Sequence, residues 1–249
     1  MTHASRWREI ASTLLAGTLL ASIQAHAAND LPVLRVVAPT NQSMPLLRMA
    51  ENRPVDGLLI DVGEALADRL SMLAVFVPLP SKRAGPAVST GVADLLCYVK
   101  AGWLEDNLLW TQAFLAGTAV IAAHADAPAV SRLQALRDEP LGTVLGYRYP
   151  VLDQAFMQPM RREDVADAET NLRRLALGRV RYAVTDRAAL NHFLRANPAV
   201  PVREVMEVER YQLGCAVAPD KAWLVQPLNR AIQRMQIDGT LETLLSRYR

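Results

Sequence analysis

The sequence predicts two similar α/β lobes facing one another across a pocket, and three observations carry that reading. An apolar, helix-like approach over residues 87–90 runs into Gly91, and a buried-looking strand follows at once, through Ala93-Asp94-Leu95-Leu96-Cys97-Tyr98. The same design returns later: residues 172–177 reach Gly178, and the strand-like run 181–185 ends on Asp186. Glycine suits both junctions because it takes positive φ at a helix C-terminus without steric cost. Strand-like and helix-like segments also alternate along the whole chain, which argues for mainly parallel sheets covered by helices on both faces. No linker is rich enough in Gly or Ser to act as a loose tether.

With 249 residues, 51% hydrophobic and 21% charged, the chain can build a substantial core and has the length of one large domain or two small ones. A formal charge of +2 gives no footprint for nucleic acid. Arg6 and Arg8 form a basic start, weakened by Glu9, and an apolar run from Ile10 to Ile23 follows. That run is of signal-peptide length and short for a membrane span. Ala25-His26-Ala27 fits a small-x-small cleavage pattern, so residues 1–27 are expected to be a signal peptide and the mature chain to begin near Ala28. No cysteine stands directly after the apolar run, so the expected product is a soluble periplasmic protein and not a lipoprotein. Cys97 and Cys215 are the only cysteines, an even count in an exported chain. They are either a disulfide or two buried thiols; both lie in strand-like runs that a two-lobe topology brings together, which favours the bridge.

In order, residues 34–38 read as a buried strand and 39–45 as a loop. Asp56-Gly57 is a turn, after which Leu59, Val62, Gly63, Leu66 and Leu70 recur at helical spacing. Residues 73–77 form a second strand, and Pro78, Pro80 and Gly85-Pro86 punctuate the loop after it. A short helix leads to Gly91 and the strand 95–99. The apolar run 114–123 is longer than one lobe needs and is read as a first crossing between lobes. Ser131 is expected to cap a helix to Leu136, residues 141–145 to form a strand, and Val151 onward a helix. Residues 200–208 return as a strand, and 211–217 form the second crossing. Leu224, Leu228, Ile232 and Met235 share one face of a helix over 222–235. Asp238-Gly239 stops it, and Thr240 caps a last helix ending at Tyr248. Two crossings imply an inserted lobe: 28–112 for the first part of lobe 1, 113–209 for lobe 2, and 210–249 for the rest of lobe 1.

Several features resemble the extracellular solute-binding proteins of family 3, receptors of polar amino-acid import. They are Gly57 with Asp61, the Gly91-to-Asp94 junction, Gly142 to Gly146, the Gly178-Arg179 turn with Asp186, the run from Tyr211 to Asp220, and the closing Asp238-Gly239-Thr240-Leu241 with Arg247-Tyr248. The resemblance covers nearly all of the mature chain. It implies a periplasmic-binding-protein type II fold, in which two α/β lobes joined by two hinge strands close on a small ligand.

A zwitterionic ligand needs a cation for its carboxylate and an anion for its ammonium, because unpaired buried charge is costly. Where the resemblance implies an arginine before the hinge, this chain has Ala101-Gly102-Trp103-Leu104-Glu105-Asp106-Asn107. Arg83 and Arg148 are the candidate replacements, with solvated surface arginines as the rival reading. Asp186 matches the aspartate that pairs with the ligand's ammonium, and its rival role is the N-cap of the helix that follows. Tyr98, Trp103 and Tyr147 are candidate walls for an apolar or planar part of the ligand. Ser43 and Met44 occupy the entrance position. His124 and His192 stand singly without ligand spacing, so no metal site is expected, and no catalytic motif or cofactor is indicated.

The expected function is therefore capture of a small, carboxylate-bearing, amino-acid-like solute by lobe closure, with delivery to an inner-membrane ABC importer. No nucleic-acid partner is expected, and the receptor is expected to be a monomer and not an enzyme. The alternatives are an exported enzyme of the same fold, like the cyclohexadienyl dehydratases, and a sensory or accessory receptor without its own importer.

Overall fold

The computed structural model describes residues 31–104 and 107–248. The expected signal peptide lies outside these residues. The first half of the fold runs β1 (Val33–Pro39), β2 (Arg48–Ala50), β3 (Arg53–Asp56), α1 (Leu58–Arg69), β4 (Leu73–Leu79), α2 (Ser81–Ser89), β5 (Leu95–Val99) and β6 (Leu109–Trp110). The second half runs β7 (Leu115–His124), β8 (Leu141–Val144), α3 (Pro150–Phe156), β9 (Arg162–Val165), α4 (Ala168–Ala176), β10 (Tyr182–Asp186) and α5 (Arg187–Ala196). Then β11 (Val202–Val217) returns the chain to α6 (Ala222–Ile237) and α7 (Thr240–Ser246).

One hydrogen-bonded path runs through the main sheet in the order β4-β1-β5-β11-β7-β10-β8-β9, with β6 on β11 and the β2–β3 hairpin apart. β1 pairs in parallel with β4 and β5, and β8 pairs in parallel with β9 and β10. The two halves of the path are joined because β11 serves both. Its residues 214–217 pair with β5, and 202–213 pair with β7. Alternate side chains supply opposite cores, as strand geometry requires. Val36 and Leu95 pack with Leu66 and Ile232 on one face, while Val37 and Leu96 pack with Val88 and Ala216 on the other. In the second half Ile121 joins Leu152 and Phe156, while Val120 joins Leu172 and Phe193.

The residues at the helix–strand junctions have structural partners. The buried Asp94 carboxylate takes the Arg35 amide at 2.8 Å and the Arg35 guanidinium at 2.7 Å, tying β5 to β1. Asp61 on α1 accepts from Tyr248 at 3.0 Å and Arg247 at 3.1 Å, fastening the C-terminus to the first helix. Gly57 has φ +125°, and a Cβ there would lie 2.5 Å from the Leu46 carbonyl oxygen, so only glycine fits.

Several elements differ from the sequence reading. Helix α2 begins at Ser81, inside the stretch read as a loop; Pro86 lies within it and disguises the helix. Residues 131–136 form only a 3-10 turn over Leu133–Leu136, preceded by Arg132 and not capped by Ser131. The strands read separately at 200–208 and 211–217 are one continuous strand, whose irregular register at Glu204/Met206 and Glu207/Glu209 breaks the alternation in the sequence. Gly239, not Thr240, precedes α7, and the Asp238 carboxylate accepts from the Thr240 amide at 3.0 Å. The β2–β3 hairpin and β9 carry no strand-like apolar run, being mostly polar and partly exposed.

Candidate functional site

A cavity of about 640 Å³ lies between the two halves of the sheet, walled from both. Tyr98 enters it from β5 by a local irregularity. Val99 pairs with Gly214 and Cys97 with Cys215, so Tyr98 is the extra residue of a β-bulge. It takes φ +64°, a left-handed conformation that a bulky residue adopts at a cost of about 1–3 kcal/mol. From there its hydroxyl donates to the Asp186 carboxylate at 3.0 Å. Tyr211, on β11, donates to the same oxygen at 2.6 Å.

Asp186 ends β10 and starts α5, and its other oxygen accepts from the Ala188 amide at 2.8 Å. The carboxylate is thus both a helix cap and part of the cavity wall. Burial pushes its pKa up; hydrogen bonds from Tyr211, the Ala188 amide and Tyr98 oppose that push without cancelling it. Among the described residues it makes no ion pair. Burial likewise drives the Tyr98, Tyr147 and Tyr211 hydroxyls well above 10, so they remain protonated donors at ordinary pH.

Gly117 makes this cluster sterically feasible. It lies on β7 directly opposite Tyr211, and a Cβ there would collide with the Tyr211 ring and lie 2.8 Å from the Tyr98 hydroxyl. Next to the cluster, Lys100 pairs with Glu209, and its ammonium stands 5.4 Å from the Trp103 ring centre and 5.6 Å from that of Tyr211. The Trp103 and Tyr211 rings meet edge to face at 4.9 Å.

The turn between β8 and α3 forms the facing wall and carries Tyr147 and Arg148. Arg162 braces that turn: its guanidinium donates to the Val144 and Tyr147 carbonyls at 3.0 Å each, and lies 5.1 Å from the Tyr149 ring centre. It also grips Asp164 at 2.7 Å. Burial alone would raise Asp164, but hydrogen bonds from Arg162 and Thr143, with the charges of Arg162 and Lys82, hold it below its ordinary value.

Asn41, buried in the loop after β1, joins the two halves. Its side-chain oxygen accepts from the Ser81 amide at 3.2 Å and the Ser81 hydroxyl at 2.7 Å, at the start of α2. Its side-chain NH₂ donates across the cleft to the Leu145 carbonyl at 3.1 Å. Its own carbonyl accepts from the Ala168 amide at 3.2 Å and the Tyr147 hydroxyl at 3.4 Å.

Of the residues singled out from sequence, Tyr98, Trp103, Tyr147, Arg148 and Asp186 line this cavity. Arg83 does not. Lys82, its neighbour, does, because successive helical residues point about 100° apart and Arg83 faces solvent. Ser43 and Met44 are also absent from the wall. Ser43 is buried and turns its hydroxyl toward the Met44 carbonyl at 3.4 Å, while Met44 borders a shallow depression beside His192 and Tyr248. Lys82, Glu209 and Tyr211 also line the cavity, with Asn41 and Lys100 bonded beside it, and the sequence alone singles out none of these five. Tyr211 heads the second crossing run, and that placement was the available signal.

Cys97 and Cys215 form a disulfide with an S–S distance of 2.04 Å, at facing positions of β5 and β11. Among the described residues no cluster of His, Cys, Asp or Glu could hold a metal ion. No helix among them is long and apolar enough to cross a membrane.

The fold is shared with solved structures of low sequence identity. An ancestral arginine-binding protein bound to arginine superposes with a TM-score of 0.74 at 22% identity, over 87% of this chain and 97% of that one. The arginine-, lysine-, histidine-binding protein ArtJ from Geobacillus stearothermophilus gives 0.73 at 13% identity, over 86% and 94%. The ancestral amino acid-binding protein AncCDT-1, a precursor of cyclohexadienyl dehydratase, gives 0.72 at 20% identity, over 87% and 95%. No curated protein sequence matches the chain. The architecture is the periplasmic-binding-protein type II fold, with β7 and β11 as the strands that pass between its halves. Residues 36–249 match the pattern of the bacterial extracellular solute-binding proteins, family 3, and the chain belongs to that family.

Proposed function

We propose that the protein captures a small solute of amino-acid type, bearing an amine and a carboxylate, between lobe 1 (28–112 with 210–249) and lobe 2 (113–209). It acts in the periplasm, after removal of residues 1–27, as a monomeric receptor that delivers its solute to an inner-membrane ABC importer. The observation that carries this reading is Asp186: a carboxylate without an ion-pair partner among the described residues, on a cavity wall built from both halves. A ligand ammonium supplies the missing cation. The arginine-binding neighbours, whose ligands are cationic amines, support the same chemistry. A ligand touching both walls stabilises the closed state selectively, and closure is then a population shift.

The test is calorimetry against a panel of amino acids, opines and polyamines, with Asp186→Asn beside the parent. Loss of a buried charge partner should weaken an amine ligand by about tenfold or more; unchanged affinity removes Asp186 from the site. The pH dependence has a definite sign. The ammonium needs the ionised carboxylate, and Asp186 is raised above its ordinary 3.8 in the empty protein. Affinity should therefore hold at higher pH and fall as pH drops through the raised value. The empty protein should show the opposite trend, losing stability as pH rises through it.

A second reading has one observation in its favour. A carboxyl raised by burial and set between two phenols is also the arrangement of a general acid, and one structural neighbour is a dehydratase precursor. Incubation with prephenate and arogenate tests it: an aromatic product would replace the receptor reading with an enzyme.

A further inference from the structure

Among the described residues three carboxylates line the cavity, and two of them already hold cations of this chain. Arg162 grips Asp164 at 2.7 Å, and the Thr143 hydroxyl donates to the same oxygen at 2.7 Å. Lys100 pairs with Glu209. Asp186 is the carboxylate left for the amine of a solute. Tyr211 links it to the Lys100–Glu209 pair: its hydroxyl donates to Asp186, and its ring stands beside the Lys100 ammonium.

The chain builds a complete ammonium site around Lys100. Residues 100–103 form a tight turn, closed by the Trp103 amide on the Lys100 carbonyl at 3.3 Å, with Gly102 at φ +88° in its third position. The turn brings the Trp103 ring centre to 5.4 Å from the ammonium, and the Tyr211 ring centre lies at 5.6 Å. Glu209 arrives from β11. Glu207 pairs with Val120 and Glu209 with Ala119, so Val208 is the extra residue of a bulge. Beyond that bulge Glu209 and Tyr211, two residues apart, share one face of the strand. One carboxylate and two rings are a full set of partners for an ammonium. Trp103, Glu209 and Tyr211 all line the cavity, yet the ammonium they hold belongs to the protein itself.

A second cation on the solute would need Glu209 or Asp164 as its counter-charge. Both are taken, and a buried cation without a partner is costly. The Lys100 charge also stands where such a cation would go and repels it. Lys82 lines the cavity as well and makes no ion pair among the described residues, so it opposes a second cation from another part of the wall. An uncharged side chain meets none of these costs, and Leu96, Val144 and Val184 offer it apolar wall.

Resting on the reading of Asp186 as the amine anchor, we propose that Lys100 is a specificity-determining residue. Its ammonium occupies the place of a second ligand cation, so the cavity accepts amino acids with uncharged side chains and rejects dibasic ones. Calorimetry with matched pairs, norleucine against lysine and citrulline against arginine, reads this, because the members of each pair differ chiefly by one distal charge. The parent should bind the uncharged member with a Kd at least about tenfold lower. Lys100→Met frees Glu209 and should shift the ratio at least about tenfold toward the dibasic member. Lys100→Gln, which keeps a hydrogen-bond donor for Glu209 and guards against misfolding, should shift it in the same direction. Adding Glu209→Gln to either variant should cancel the shift, because the new counter-charge is then gone. A dibasic member that binds the parent as tightly as its uncharged partner overturns the inference. So does a Lys100 variant with no shift, or a shift that survives Glu209→Gln. In each of these cases an affinity that still falls in Asp186→Asn leaves the amine site standing. If no amino acid binds, or Asp186→Asn changes nothing, the inference and the amine-anchor reading fall together.

Discussion

Tyr98 and Tyr211 reach one carboxylate oxygen because Gly117 leaves room for both rings. Gly117→Ala should push both phenols off Asp186, and overpacking of this kind costs about 1–3 kcal/mol. Urea unfolding of the variant measures that loss, and no change in stability would show that the rings relax freely around the added methyl group. The residue scale is also where sequence reading was least complete. Tyr98, Trp103, Tyr147, Arg148 and Asp186 reach the cavity wall because chain order near strand ends already points them there. Arg83 stands out in the sequence while its neighbour Lys82 does not, because residues 80–83 read as a loop, and without the helix there is no way to tell which neighbour faces inward. Asn41 was passed over because a loop asparagine looks the same in sequence whether it is solvated or, as here, buried with partners in both halves.

The strongest covalent link between elements joins β5 to β11 through Cys97 and Cys215, 118 residues apart. Closing so long a loop constrains the unfolded chain, and losing the bridge should lower stability by about 2–5 kcal/mol. Urea unfolding with and without reductant, or of the Cys97→Ser/Cys215→Ser double variant, reads this directly; superimposable curves would mean that the bridge contributes nothing. Elements with strong apolar periodicity were legible from the chain alone: β1, α1, β4, β5, β7 and α6 lie where their patterns place them. Those with polar or half-exposed sequences were not. The β2–β3 hairpin buries little, β9 is Arg-Glu-Asp-Val, and the irregular register of β11 hides a single strand behind two apparent ones.

Across the whole molecule, Asn41 ties the start of α2 to Leu145 and Ala168 on the far side of the cavity. Asn41→Ala removes its side-chain hydrogen bonds, each worth about 0.5–1.5 kcal/mol. A change of about 1.4 kcal/mol alters the ratio of open to closed molecules tenfold. Small-angle scattering of the ligand-free variant should give a larger radius of gyration than the parent, and identical curves would show that other contacts hold the halves together. The position of the disulfide then bears on how such opening takes place. The bridge fastens β11 at Cys215, a few residues below Tyr211, so the base of the pivot is bolted to one body like a hinge leaf screwed to its frame. Under the proposed closure, rotation would be taken up above that anchor, in the paired stretch around Gly117 and Tyr211. Any such swing would drag the Tyr211 hydroxyl relative to the carboxylate it holds, so the proposed solute's berth and the axle would share the same few atoms.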